Sequence, residues 1–227
     1  MKTKDNGHCC GSPKHINTLF DEFVCHFPYA VFSLTIGLII LALVTPGGGV
    51  ALYVVKHSFH RLFHTFHFMH ILFASAGAIL TFFRYSRNFI KGILVGTISP
   101  AFFCMLSDIL LPYVAGRILG VKMSLHICFI NEFSNIGIFL ILGVMTGFIL
   151  RFHVDRCHES SLFTSWLHFG HILLSSMASM FYMVANGFLH WDKQMGMVFA
   201  LLIVAVVVPC TFSDVIVPFV IARDGKK

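Results

Sequence analysis

Five histidines recur at spacings of three and four residues within one largely apolar stretch. Because an α-helix repeats every 3.6 residues, this spacing places the imidazoles along one side of a helix. The first four span roughly 80° of arc, and the fifth lies about 60° further round. Imidazoles on an apolar helix are costly to bury, so they call for a carboxylate, a metal ion, a haem or water as a partner. The file consists of His57, His60, His64, His67 and His70.

Part of this file recurs in the second half of the chain. The motif His-Phe-x-His-Ile-Leu begins at His67 and again at His168. A second motif, Cys-x-x-Ser-Asp-x-x-x-Pro, occupies 104–112 and again 210–218. Two motifs repeated in the same order predict an internal duplication of the chain.

The composition excludes most classes of soluble protein. The 227 residues are 57% hydrophobic and only 11% charged, with a mean hydropathy of +0.83. These values are typical of a polytopic membrane protein whose main partner is the lipid bilayer. The net charge of +6 has no soluble face on which to bind nucleic acid, so no nucleic-acid partner is expected. Seven cysteines at irregular spacing argue against a disulfide framework.

Apolar segments near the roughly 20 residues that a bilayer requires predict an all-α integral membrane protein with six transmembrane helices. Residues 1–26 are expected to form a polar cytoplasmic tail, in which His8, Cys9, Cys10 and His15 are candidate metal ligands. The helices are expected at about 27–55, 61–83, 89–116, 124–150, 162–189 and 195–222.

The orientation of the helices follows from the Lys and Arg residues that flank them. These residues are more numerous on the side of the N-terminus, which predicts that both termini are cytoplasmic. The predicted repeats, 27–122 and 123–227, contain an odd number of spans each, so they must enter the membrane in opposite directions. Such inverted repeats are typical of secondary transporters. A bacterial inner membrane is the expected location. The sequence is compatible with a homo-oligomer.

The polar residues inside the predicted spans fall into two layers when depth is counted at about 1.5 Å per residue. Intramembrane carboxylates and histidines usually serve a function, and a borderline divalent cation suits this mixture. The expected metal ligands are His67, His70, Asp108 and Glu132 in the outer layer and His168, His171 and Asp214 in the inner layer.

Each aspartate of the repeated motif is followed by a proline four residues later. Because proline has no N–H, the aspartate carbonyls are expected to lose a helical partner and to add oxygen atoms to the site. Cys104 and Cys210 can also act as ligands, but packing between helices is the preferred interpretation. His126 is expected to lie at the interface without a chemical role. The supporting residues are Ser107, Ser213, Pro112, Pro218 and Asn135.

These features favour a proton-coupled secondary transporter of divalent transition-metal ions, with zinc, manganese, iron, cobalt or nickel as the substrate. A membrane haem protein for electron transfer and a proton-coupled carrier of an organic solute are the alternatives. No enzymatic motif such as His-Glu-x-x-His is present, so an enzyme is not expected. The polar pairs on the second and fifth helices resemble those of cation-diffusion facilitators. This chain, however, has His-x-x-His where those carriers use His-x-x-x-Asp, so the sequence assigns no family.

Overall fold

The computed structural model describes the backbone of 19–44, 52–154 and 160–224 and the side chains of 27–44, 56–129, 132–152 and 168–223. All regular elements in these ranges are helices, as expected for an all-α protein. Two long helices contain a π segment, in which backbone hydrogen bonds run to the fifth residue rather than the fourth. The elements are α1 Leu19–Val44, α2 Leu52–Tyr85, α3 Phe89–Met105, the first π segment Leu106–Leu110, α4 Leu111–Ile118, α5 Cys128–Asn131, α6 Phe133–Val154, α7 Ser160–Ala185, a 3₁₀ turn Trp191–Gln194, α8 Met195–Thr211, the second π segment Phe212–Ile216 and α9 Val217–Asp224.

Several helices are long and apolar enough to cross a bilayer. Their outer faces carry large apolar side chains, and Ile98 of α3 and Ile149 of α6 are 63% and 64% exposed. An apolar surface of this kind is unfavourable in water and suits contact with lipid. The chain is therefore a helical membrane protein. Its spans in the described residues include Phe27–Val44, Lys56–Tyr85, Phe89–Ile118, Phe133–Phe152 and Trp191–Arg223.

The helices α2 and α7 form the centre of the fold. Helix α2 packs against α3, α6 and α7, and α7 also packs against α1 and α8. Small side chains make this close packing possible, since Ala74, Ser75 and Ala78 of α2 are fully buried. His67 and His70 of α2 and His171 of α7 are therefore held in the interior of the bundle, away from the lipid-facing surface.

Glycines of α6 let that helix approach α2. A Cβ atom on Gly143 would lie 2.6 Å from the carbonyl oxygen of Leu72, and one on Gly147 would lie 2.7 Å from Cβ of Ile79. Because the first of these contacts involves backbone, a larger residue at Gly143 would force the two helices apart.

The bounds of the first two helices differ from the sequence prediction, and 52–55, predicted as the end of the first helix, belong to α2. Helix α1 begins at Leu19, so the end of the predicted polar tail is helical, where Asp21 and Glu22 suit the first turn of a helix. The candidate ligands of the tail, His8 to His15, lie outside the described residues. Helix α2 begins at Leu52, well before the predicted start, and runs for 34 residues.

The segment between α4 and α6 also departs from the prediction of one long fourth helix. Gly120, with φ of 79°, ends α4 because its conformation is one that side chains disfavour. The N–H of Val121 donates to the carbonyl of Gly116 at this turn. A non-helical stretch follows as far as Ile127, so the fourth span begins at Phe133. The predicted boundary between the repeats falls in this stretch, and the division itself stays a prediction.

We expect Gly143→Ala to lower the stability of the protein by about 1–3 kcal/mol, because the added methyl group meets the backbone of α2. Gly137→Ala is the matched control, since a Cβ atom there meets nothing within 4 Å. Thermal unfolding of both variants in detergent measures the difference. Equal unfolding temperatures would show that the α2–α6 contact is not tight.

Candidate functional site

Asp108, in the first π segment, is completely buried and faces two histidines of α2. Its Oδ2 atom lies 2.8 Å from Nδ1 of His67 and 2.7 Å from Nδ1 of His70. A buried carboxylate needs such partners because it has lost its contacts with water. The structure therefore brings together three of the residues predicted for the outer layer.

The second oxygen of Asp108 is also fully partnered. The hydroxyl groups of Ser107 and Ser175 donate to Oδ1 at 2.7 Å and 2.8 Å. Ser107 was predicted as a supporting residue, whereas Ser175 of α7 was not. Both oxygens of the Asp108 carboxylate are therefore partnered, one by two histidines and the other by two serines. Contacts from two neighbouring helices fix its position.

Asp214, in the second π segment, has fewer partners. Its Oδ2 atom lies 2.9 Å from Nδ1 of His171, an ion-pair contact without the alignment of a hydrogen bond, and 4.0 Å from Nδ1 of His168. Its Oδ1 atom and the hydroxyl of Ser213 are buried without a hydrogen-bond partner among the described residues. The two carboxylates of the repeated motif are therefore not equivalent.

The difference between the carboxylates has a basis in the sequence. The register partner of Ser175 is Ala74, whose methyl group cannot donate a hydrogen bond. Near Asp214, α2 carries Gly77, where a Cβ atom would lie 2.9 Å from Oδ2 of the aspartate. The carboxylate of Asp214 therefore approaches a glycine in the backbone of α2, whereas the carboxylate of Asp108 accepts hydrogen bonds from hydroxyl groups.

The two polar layers predicted from the sequence meet at the centre of the protein. Nε2 of His70 lies 3.0 Å from Nε2 of His171, with the two rings edge to face at 89°. The predicted separation into opposite halves of the bilayer is therefore wrong. The depth count assumed regular helices of similar length, whereas α2 is unusually long and both aspartates lie in π segments. One line of contacts now runs from Asp108 through the two imidazoles to Asp214.

Two cysteines complete this central cluster. The sulfur atoms of Cys104 and Cys210 each lie 3.7 Å from Nε2 of His70. The donor atoms of His70, His171 and Cys210 all lie within 4.8 Å of one another. Both thiols are buried. The preferred interpretation of these cysteines as packing residues therefore overlooked their position beside the imidazoles.

The π segments place the Ser-Asp pairs in the interior. The N–H of Leu111 donates to the carbonyl of Leu106, five residues earlier, and the N–H of Val217 does the same to Phe212. The next residue in each case is a proline, which has no N–H. In this hydrogen-bond pattern the prolines leave the carbonyls of the two motif serines, five residues earlier, without a backbone donor. The loss predicted for the aspartate carbonyls stays a prediction.

Serine hydroxyls from other helices satisfy these two carbonyls. Ser179 of α7 donates to the carbonyl of Ser107 at 3.0 Å, and Ser99 of α3 donates to the carbonyl of Ser213 at 3.2 Å. Buried carbonyls without such a donor would cost free energy comparable to a lost hydrogen bond. Pro112 and Pro218 thus act in the site through the hydrogen bonds that they leave to these serines.

Glu132 lies apart from the central cluster, although it was predicted in the outer layer. It follows α5 in the chain, and Nδ2 of Asn135 donates to its Oε2 atom at 2.5 Å. Its electrostatic neighbours include His60, His64 and His126. The predicted position failed because the fourth span starts later than expected, which moves Glu132 to the end of the span.

The central cluster has the dimensions of a tetrahedral metal site. A zinc ion with Zn–N bonds of about 2.05 Å and Zn–S bonds of about 2.3 Å holds two nitrogens about 3.4 Å apart and a nitrogen and a sulfur about 3.6 Å apart. The corresponding distances here are 3.0 Å and 3.7 Å. The aspartates contact the other nitrogen of each ring, as carboxylates do behind histidine ligands.

Sequence reasoning missed Ser99, Ser175 and Ser179, and it assigned the aspartates as direct ligands. A signal for the serines exists: α7 is rich in serine where α2 has alanine, at Ser175 and Ser179. Buried hydroxyl groups opposite a proline-containing motif are the partners that such a motif requires. The spacing of residues in the sequence did not predict that two histidines from different predicted repeats would contact each other edge to face.

We expect Ser175→Ala to destabilise the protein by about 1–3 kcal/mol, because it removes a donor to a buried carboxylate. Ser176→Ala is the matched control. Its hydroxyl, equally buried, bonds only to the carbonyl of Ile172 in its own helix, so its loss is expected to matter less. Thermal unfolding of the purified variants compares the two, and equal losses would contradict the role given to Ser175.

Comparison with known proteins gives no family for this chain. No family model matches it, and no curated protein or solved structure matches it either. The function is therefore inferred from the chain's own residues, above all from the two histidines, two cysteines and two aspartates at its centre.

Proposed function

We propose that the chain is a secondary transporter of divalent transition-metal ions, coupled to protons. The observation that carries this proposal is the meeting of His70, His171 and Cys210 at buried positions, with Cys104 beside them. Two imidazoles and one thiol at these distances suit one tetrahedral cation, with the fourth position left to Cys104 or to water. Burying such residues inside a membrane protein costs free energy, so residues that remain there usually serve a function.

The origin of the ligands supports a transporter over a purely structural metal site. His70 belongs to the first predicted repeat, and His171 and Cys210 belong to the second. A movement of one repeat against the other would pull the ligand set apart and release the ion. Inverted repeats in known secondary transporters move in this way around a site near the middle of the membrane. The proposed cycle therefore uses one central site, rather than two layers exposed in turn.

Proton coupling follows from the chemistry of these ligands. Imidazoles and thiols must lose protons before they bind a metal ion, so binding releases protons and protonation releases the ion. Without an ion, a proton between Nε2 of His70 and Nε2 of His171 satisfies their 3.0 Å contact. Asp108 and Asp214 balance the charge of either the proton or the metal ion.

The ligand types favour some substrates over others. Thiols and imidazoles select zinc, cobalt, iron and nickel over magnesium and calcium, which prefer oxygen ligands. Manganese, which was among the expected substrates, prefers carboxylates and fits this set less well. We therefore rank zinc first among the proposed substrates, with cobalt as the spectroscopic substitute.

The alternatives differ in how well the geometry suits them. A haem between His70 and His171 needs room for an iron and a porphyrin plane, and the two nitrogens are already in contact at 3.0 Å. A proton-coupled carrier of an organic solute is better supported, because the line from Asp108 to Asp214 can relay protons. In this proposal the protein lies in a bacterial inner membrane with both termini on the cytoplasmic side. It acts as a carrier and not as an enzyme.

We expect purified protein in liposomes to move Zn²⁺ down a gradient, with protons moving in the opposite direction. Cys210→Ser and His171→Ala should reduce the rate more than about 10-fold, because each removes one of the three grouped ligands. Asp108→Asn and Asp214→Asn should abolish transport while leaving membrane insertion intact. Dyes for zinc and for pH inside the liposomes measure both fluxes.

His190→Ala is the control for this experiment, since that imidazole is exposed at the start of the 3₁₀ turn. Normal zinc flux in Cys210→Ser or Asp214→Asn would contradict the proposed site. Proton flux without zinc flux in the unchanged protein would favour the carrier of an organic solute.

A further inference from the structure

A second group of histidines lies on α2 and on the chain that leads into α5. Nε2 of His60 is 3.1 Å from Nε2 of His64. The ring of His126 lies 4.9 Å from that of His60 and 5.6 Å from that of His64, edge to face in both cases. One nitrogen of each ring lies within 4.8 Å of the other two. All three side chains are partly exposed, unlike those of the central cluster.

The position of His126 is fixed by its backbone. Its N–H donates to the hydroxyl of Tyr182, and that hydroxyl donates back to the carbonyl of His126. Tyr182 is fully buried in α7, so it anchors the otherwise non-helical segment. Nε2 of His126 is buried without a hydrogen-bond partner among the described residues. A rigid backbone thus holds an unpartnered imidazole nitrogen beside two others.

The electrostatic surroundings favour a cation at this point. Glu132 acts on all three imidazoles, and its hydrogen bond from Asn135 holds it in place. Burial lowers the pKa of His126, and the charge of Glu132 opposes this in part. The group therefore combines three imidazole nitrogens with a nearby negative charge.

We propose that His60, His64 and His126 form a second, partly exposed site for a borderline divalent cation such as Zn²⁺ or Co²⁺. The spacing of 3.1 Å between the first two nitrogens is close to the roughly 3.4 Å of a tetrahedral zinc site. Three imidazoles leave the fourth position to water or to Glu132. An open position of this kind allows a bound ion to exchange quickly, which a closed site does not.

Cys128 has a supporting role in this site. Its sulfur lies 3.7 Å from Nδ1 of His64, whereas Nε2 is the nitrogen of that ring that faces His60. The thiol therefore lies behind the His64 ring, outside the group of three nitrogens. The second site is thus a nitrogen and oxygen site, whereas the central cluster is a nitrogen and sulfur site.

The second site also lies on a route to the central cluster. His64 and His67 are one helical turn apart on α2, about 4.5 Å along its axis. The ring of His67 stacks on Phe63 at 5.3 Å, and its Nε2 atom is buried without a hydrogen-bond partner among the described residues. The file of histidines on α2 therefore connects the two sites. This loading role rests on the proposed transport function, but metal binding at the second site does not.

Binding of Co²⁺ to the purified full chain in detergent tests the second site. Cobalt bound to thiolates has a strong near-ultraviolet charge-transfer band, whereas cobalt bound to nitrogen and oxygen does not. We expect two bound ions in the unchanged protein, only one of which produces this band. His126→Ala and His60→Gln should each weaken, by more than about 10-fold, the binding of the ion that produces no charge-transfer band. The band of the other ion should stay unchanged.

Matched variants separate the two sites. Cys210→Ser should weaken the charge-transfer band and keep the other ion, and His190→Ala should keep both ions. If His126→Ala and His60→Gln still bind two ions with unchanged affinity, the second site is wrong. If the unchanged protein binds two ions but moves neither zinc nor cobalt across liposomes, the second site stands and the proposed transport function fails.

Discussion

The contact between His70 and His171 is the interaction on which the rest of this structure depends. Each imidazole offers one nitrogen to the other and turns its second nitrogen towards a buried aspartate. Four ionisable groups in the interior of a membrane protein are tolerable only because they compensate one another. The small residues of α2, and the glycines that admit α6 and Asp214, bring the backbones close enough for these contacts.

The two π segments are the irregular parts of the backbone in this centre. Each carries a buried aspartate, and the proline that follows leaves a serine carbonyl without a backbone donor. In both places a serine from another helix supplies the missing hydrogen bond. The irregular backbone is thus tolerated because it is enclosed by protein, as it must be at this depth in a membrane. The same hydrogen bonds tie the π segments to α3 and α7 and so define where the carboxylates lie.

Much of the fold was predictable because it follows from composition and periodicity. The long apolar helices of the described residues could be read from composition and periodicity, and depth counting correctly grouped His67 and His70 with Asp108. The joining of the two layers could not, because depth counting assumes regular helices and neither the length of α2 nor the π segments are visible in the sequence. Glu132 was misplaced for a similar reason, since a glycine turn at Gly120 and a non-helical segment delay the fourth span. The cysteines were present in the repeated motif, but only the fold shows that both face the same imidazole nitrogen.

The two aspartates have unequal surroundings, although the same motif, Cys-x-x-Ser-Asp-x-x-x-Pro, carries both of them. The hydroxyl of Ser175, which stands where the register of the two motifs has Ala74, donates to Asp108, whereas Oδ1 of Asp214 has no hydrogen-bond partner among the described residues. Moving Asp108 breaks hydrogen bonds that Asp214 does not make, so the side chain of Asp214 is the one that can rearrange at the lower cost in free energy.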